Sequence, residues 1–246
     1  MNWKKYSSQT KIFSFLILFA LASNLSSDIE DNIALHKEQF SEVALKIWEY
    51  AELGYQETKS SNLLASELEK EGFKITKGVA GIPTAFVAEF GSSGPVIGIL
   101  GEFDALPGLA QTNSPFKEVA INDSGGGHAC GHHLFGAASA WAAVSIKEWL
   151  VENDIEGTVR FYGTPAEEGG SGKVYMVREG LFDDVDVVLH WHPDDVNSAN
   201  PKTSNSNKSA KFTFKGISAH AAGSPELGRS ALDGVEAMNM MVNMMR

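Results

Sequence analysis

Gly127-His128-Ala129-Cys130-Gly131-His132-His133 places the only cysteine and three of the seven histidines of this 246-residue chain in seven consecutive positions. Thiolate and imidazole are the donors that hold zinc and its transition-metal neighbours. The flanking glycines let the backbone bend so that several side chains converge on one point. The alanine-rich stretch that follows, from His132 to about Leu150, reads as a long helix, so the donors sit where a loop enters a helix. Two further runs, Pro165-Ala166-Glu167-Glu168-Gly169-Gly170 and His190-Trp191-His192-Pro193, add two carboxylates and two imidazoles. A closed structural zinc site usually carries paired cysteines. One cysteine with this donor mixture points instead to a site that does chemistry.

Outward from that run, helix and strand patterns alternate. Ile33 to Leu53 sets Ile33, Leu35, Phe40, Val43, Ala44, Ile47 and Trp48 largely along one helical stripe, and Ser60 to Glu71 continues with Leu63, Leu64 and Leu68. Phe73 to Ile75, Thr84 to Phe90 and Val96 to Leu100 read as strands, the last two separated by the turn signal Gly91-Ser92-Ser93-Gly94-Pro95. Beyond the long helix come a strand from Thr158 to Tyr162, a short helix over Val174 to Arg178 and a strand from Val185 to His190. The order predicts an α/β fold, a mostly parallel sheet flanked by helices.

That order puts the polar runs in one place. Glu102-Phe103-Asp104 follows the strand ending at Leu100, Glu167-Glu168 the strand ending near Tyr162, and His192 the strand beginning at Val185. Ligand sites of open α/β sheets form at the carboxyl ends of the strands. Adjacent residues in an extended loop point to opposite sides, so one glutamate can hold metal while its neighbour moves protons. Glu168 is the expected ligand and Glu167 the expected general base of a metal-assisted amide hydrolysis.

Four stretches carry a family resemblance: Gly101 to Leu109, Gly127 to Gly136, Pro165 to Lys173, and Ala219-His220-Ala221-Ala222 through Gly228 to Asp233. Together they resemble the dinuclear-metal amidohydrolases that include hippurate and indole-acetyl-amino-acid hydrolases. The resemblance implies a zinc-exopeptidase-like catalytic domain, two divalent ions (zinc, manganese or cobalt) and an N-acyl amino acid as substrate. It makes Cys130 and His132 metal ligands and repeats the roles of Glu167 as base and Glu168 as ligand. It selects His192 as a further ligand, counted from Asp186, with His190 as the alternative on the same strand face. Asp104 matches an aspartate that orients a ligand. Glu102 stands where more distant relatives carry a ligand histidine. His220 matches a histidine that binds substrate and stabilises the oxyanion in the partner's active site. The resemblance also implies a homodimer or a hetero-oligomer with a related subunit. His128 and His133 fall to supporting or turn positions, and His36 reads as a surface histidine.

Composition bounds the rest. The net charge of -11 offers no footprint for nucleic acid or an anionic membrane surface. Lys4, Lys5 and Lys11 precede an apolar run from Ile12 to Ala22 that ends in the small-x-small pattern Ala20-Leu21-Ala22. Residues 1–22 are therefore expected to be a signal peptide of a secreted or periplasmic protein, in preference to a stable membrane span. A single cysteine in an exported chain makes no internal disulfide, which again favours metal. Residues 23–203 are expected to form the catalytic domain. The polar stretch from Pro201 marks a boundary, and 204–246 would begin a smaller α+β dimerisation domain with an edge-like strand at Ala210 to Phe214. The relatives continue beyond the equivalent of Arg246 and return to complete the sheet and supply a last ligand histidine, so the C-terminal part is expected to be missing. The alternatives are a non-catalytic metal-binding or dimerising fragment derived from such an enzyme, or a dipeptidase-like member. Glu167 argues against the former, because a binding protein has no need of a free carboxylate beside the metal.

Overall fold

The structure is a computed structural model that describes residues 29–122, 124–199, 203 and 205–246. The expected signal segment, 1–22, lies outside the described residues. The chain divides into two compact units, the first ending at Val196 and the second running over Asn197–Arg246. The division falls N-terminal to the boundary expected at 203/204.

The first unit opens with helical residues 29–35 (α1) and continues after a turn at His36 as α2 (Lys37–Tyr50). The single helix read from Ile33 to Leu53 is thus broken at His36. Phe40, Val43, Ala44 and Ile47 of α2 are buried at helical spacing, and Ala51 closes the helix in a left-handed conformation with its N–H on Ile47 O. In α3 (Thr58–Lys70), Leu64, Ala65 and Leu68 are buried. The Glu52 carboxylate accepts from Lys59 N and Ser60 N at the start of that helix, where free N–H groups favour an anion.

Five strands form the main sheet: β1 (Lys74–Lys77), β2 (Phe86–Phe90), β3 (Val96–Gly101), β6 (Thr158–Gly163) and β7 (Val187–Leu189). The two-residue strands β4 (Leu106–Pro107) and β5 (Gly126–Gly127) pair separately. The order is β1-β2-β6-β3-β7. β3 lies parallel to β6 and β7, whereas β2 runs antiparallel to both β1 and β6. The α/β layering is as expected, but the sheet is mixed, with a parallel part confined to β6-β3-β7. The turn at Gly91 to Pro95 does not make a hairpin of β2 and β3, because β6 inserts between them.

Successive residues face opposite sides of a strand, and the sheet has a core on each face. On one side Phe86, Ala88, Ile99, Val159 and Phe161 meet α2, α3 and the long helix α4 (His132–Glu152). On the other, Leu100 and Tyr162 meet Met176 of α6 (Gly172–Arg178). The small residues of α4 let it lie close to the sheet. A Cβ on Gly136 would stand 2.6 Å from Glu102 O, so this glycine sets how near α4 comes to the end of β3.

In the second unit, Ile217 bridges Arg229 in antiparallel fashion, and α7 (Ala231–Asn243) begins at Ser230, whose hydroxyl accepts from Asp233 N. The edge strand expected at Ala210 to Phe214 does not form: those residues carry no strand pairing in the structure. An alternating segment becomes a strand only where another backbone takes up its N–H and C=O groups. Among the described residues no helix is long and apolar enough to cross a membrane.

Candidate metal centre

Glu102-Phe103-Asp104 follows β3, and continued alternation separates their tasks. Phe103 turns into the core beside Phe86, while Glu102 and Asp104 emerge on the other side, both buried. Gly131 adopts φ 84°, which an L-residue enters only with strain, and so delivers His132 as the first residue of α4. His132 is wholly buried. Its Nδ1 lies 3.0 Å from Asp104 O and 3.1 Å from Asp104 Oδ1. Both partners are acceptors, so Nδ1 carries the proton and donates to them.

That bond aims Nε2 of His132 at a set of carboxylates. Glu102 Oε2 is 2.9 Å away, and Glu167 Oε2 and Glu168 Oε1 are each 3.9 Å away. The glutamate pair follows β6 through Thr164, Pro165 and Ala166, then enters a distorted helical turn, α5 (Glu167–Gly170). Ala166 takes a left-handed φ of 57° and its N–H donates to Glu57 Oε1 at 2.8 Å, deep in the core. Glu168 N donates to Asp104 Oδ2 at 2.8 Å. The Asp104 carboxylate therefore ties the imidazole of His132 to the backbone of Glu168.

The third side comes from β7. Trp191 Nε1 donates to Ser139 Oγ of α4, and Phe135 lies edge-on to His190, Trp191 and His192. His192 Nδ1 donates to Pro193 O, which leaves Nε2 free, 3.3 Å from Cys130 Sγ. His190 meets different company, with Nε2 3.3 Å from Glu102 Oε1. Two groups of donor atoms, each lying within 4.8 Å of one another, share His132: Cys130, His132 and His192, and Glu102, His132 and Glu167.

Electrostatics follow from this crowding. Burial opposes charging of His132, but its bonds to Asp104 and the nearness of Glu102 outweigh it and raise its pKa to about 10. Burial would lift Glu102, yet His132, His190 and Lys173 hold it well below the usual carboxylate range. Burial, then Glu102 and Glu168, raise Glu167, the direction a general base requires. Burial and the neighbouring Glu168 push the Cys130 thiol up to about 12.

The residues present fit a metal. Glu102 Oε2, His132 Nε2 and Glu168 Oε1 are buried and have no hydrogen-bond partner. The first two are close but not aligned as a hydrogen bond. Buried polar atoms are rarely left so, and three that converge among a thiol and a second imidazole are what ligands of a shared cation require.

Cys130, His132, Glu168, His192, Asp104 and Glu167 are thus gathered at one edge of the sheet. His220 belongs to the second unit, where its Nδ1 accepts from the N–H groups of Ala222 and Gly223, so its exposed Nε2 bears the proton. His128 is buried with Nε2 on Ile47 O, and His133 packs on Trp48. Burial and the nearby His133 lower His128 to about 4, and burial with the nearby His132 does the same for His133. His36 is not a plain surface residue, since its Nε2 meets Glu148 Oε1 at 2.8 Å. Sequence reasoning missed Lys173, whose Nζ donates to Glu102 Oε1; the available signal was a lone cation in an otherwise acidic run. It also missed Glu57, whose position shows only in three dimensions.

Comparison with known proteins agrees with this architecture. The chain is 47% identical over 215 residues to one of the subunits of the p-aminobenzoyl-glutamate hydrolase of Escherichia coli (strain K12), covering 87% of this chain and 45% of that protein. The Bacillus subtilis YXEP protein, a dinuclear metal binding peptidase from the M20 family, superposes with a TM-score of 0.50 at 31% identity over 65% of this chain and 44% of its own. An aminobenzoyl-glutamate utilization protein from Klebsiella pneumoniae shares the fold, with a TM-score of 0.54 at 18% identity over 83% of this chain and 57% of its own. The chain spans less than half the length of the curated relatives it matches. The model of peptidase family M20/M25/M40 matches residues 98–230, the span from β3 through the metal-donor loops to Ser230, and the chain belongs to that family.

Proposed function

We propose that this chain is the metal-binding part of a hydrolase that cleaves the amide bond of an N-acyl amino acid, with p-aminobenzoyl-glutamate, giving p-aminobenzoate and glutamate, as the first substrate to test. The observation that carries the reading is the convergence of buried, unpartnered Glu102 Oε2, His132 Nε2 and Glu168 Oε1 beside Glu167. The substrate choice is supported by the 47% identity to the Escherichia coli hydrolase.

Cys130, His132, Glu168 and His192 would hold two divalent ions, with zinc, manganese and cobalt all suited to this donor mixture. When bound, such ions polarise a carbonyl oxygen and acidify water. The protein's own residues do the rest. Glu167, its side chain 45% exposed, is open to substrate and its raised pKa suits it to take a proton from the attacking water and return it to the leaving amine. Asp104 keeps the proton of His132 on Nδ1 and anchors Glu168 N, fixing two ligands with one carboxylate. His220 presents an Nε2–H donor suited to the carbonyl oxygen as charge develops there, which supports a role across a homodimer or a hetero-oligomer with a related subunit. Export to the periplasm or cell exterior follows from the basic and apolar pattern of residues 1–22.

The test is release of p-aminobenzoate by the full-length, metal-loaded protein, with Glu167→Gln as control. Turnover abolished by the substitution while metal stays bound supports the reading. Retained turnover in the variant sinks the role of Glu167, and a protein that takes up no divalent metal sinks the centre.

A further inference from the structure

Lys173 is the second residue of α6, and its Nζ donates to Glu102 Oε1. His190 Nε2 approaches the same oxygen at 3.3 Å. Oε1 of Glu102 is therefore occupied, and the carboxylate, 3% exposed, is turned so that Oε2 faces His132 Nε2. Among the described residues, Lys173 is the one lysine or arginine paired with any carboxylate of the centre. With two divalent ions bound, Glu102, Asp104, Glu167, Glu168 and Cys130 as a thiolate would carry five negative charges; the ions would bring four positive ones, and Lys173 the fifth.

We propose that Lys173 is the resident counter-ion of the metal centre, which holds Glu102 in place while the site lacks metal and weakens the site's grip on the cations it receives. The inference rests on the metal-centre reading above. Without metal, the carboxylates crowd one another and the charge of Lys173 offsets that of Glu102. With metal, the ions take over that task and Lys173 becomes a like charge beside them. Lys173 thus stabilises the metal-free protein more than the loaded one, and by linkage it lowers metal affinity. It is a positioning residue that acts through Glu102, and it keeps the metal exchangeable.

The experiment uses the full-length protein and four variants: Lys173→Met, Lys173→Arg, Glu102→Gln and the Lys173→Met/Glu102→Gln double, with Lys173→Gln replacing the methionine variant should that not fold. Zinc affinity is read by competition with a chelator, and Tm is read with and without zinc. Lys173→Met is expected to lower the metal-free Tm, leave the zinc-loaded Tm near that of the unsubstituted protein and tighten zinc binding about tenfold. Arginine restores the original behaviour, and in the Glu102→Gln background removing Lys173 changes zinc affinity little. Equal losses of Tm in both states would mark a packing role and overturn the proposal, as would weaker zinc binding or an undiminished effect without the Glu102 carboxylate. An unsubstituted protein that binds no zinc, manganese or cobalt overturns the centre itself, a result separate from these.

Discussion

Replacing Asp104 with asparagine tests the centre at the point where one side chain holds two ligands. Asp104 is wholly buried; Oδ1 accepts from His132 Nδ1 at 3.1 Å and Oδ2 accepts from Glu168 N at 2.8 Å. Asparagine keeps the shape but offers one oxygen and one NH2 group. Whichever way the amide turns, one of the two donors faces another donor. One charge-assisted hydrogen bond is lost, worth about 1.5–3 kcal/mol, and an NH2 group is set against a buried donor. If the oxygen stays with Glu168 N, His132 Nδ1 keeps only the backbone oxygen of Asp104 as its acceptor and faces the new NH2 group; if it stays with His132, the Glu168 backbone comes loose. Either way a ligand drifts, and zinc affinity should fall about 10–100-fold, the usual cost of removing such a support. The assays are a chelator competition titration and urea unfolding of the metal-free protein, which should lose about 2 kcal/mol. An asparagine variant that binds zinc within about twofold of the original and unfolds at the same urea concentration would refute the linkage of His132 and Glu168 through this carboxylate.

Gly131→Ala should cost about 1–2 kcal/mol for its left-handed φ and more for a Cβ only 2.8 Å from Pro193 Cγ, so both Tm and zinc affinity fall; unchanged affinity would separate this turn from the Cys130–His192 contact. Glu57→Ala leaves the buried N–H of Ala166 unpaired, a loss of about 1–3 kcal/mol, and should reduce turnover with metal still bound, whereas Glu57→Gln, which keeps an acceptor for Ala166 N and a partner for Thr84, should stay near the original; identical behaviour of the two variants would count against a positioning role. Burial opposes charging of His36, but its bonds to Glu148 and Gln39 raise its pKa above the ordinary value. Its contribution is therefore present below about pH 6.5 and is lost as pH rises through the raised folded value. Urea unfolding across that range should show a slope that His36→Gln removes, and a variant with the same slope would exclude the His36–Glu148 pair as its source.

The sheet was legible where its strands are interior. Val96 to Leu100 is a short apolar run, Thr158 to Tyr162 is rich in β-branched and aromatic residues around Arg160, and both strands lie inside the sheet order. Strand direction was not legible in Thr84 to Phe90, because an apolar run reads the same whether its neighbours are parallel or antiparallel. The loop at Gly91 to Pro95 suits a hairpin, yet β6, from more than fifty residues on, takes the place beside β2; long-range pairing leaves no local signal. Ala210 to Phe214 shows the converse, an alternation that satisfies the pattern of a strand while the described residues pair no neighbour with it.

The donor types of the centre were legible because they crowd into four short runs that strand ends bring together, but the sequence does not say which atoms remain unpaired. His190 and His192 stand two residues apart just beyond β7 and differ in what they meet: Glu102, itself held by Lys173, stands before the first and Cys130 before the second. Asp104 likewise chooses between the two nitrogens of His132, by accepting the hydrogen bond of Nδ1–H and leaving Nε2 to Glu102, Glu167 and Glu168. Ligand identity at this edge is therefore a property of second contacts. Glu102 adds a negative charge to the centre, and the cation that answers it lies 71 residues further on, in α6. A motif read along the chain records the carboxylate and the lysine as separate residues; only the fold makes them one charged pair beside the metal donors.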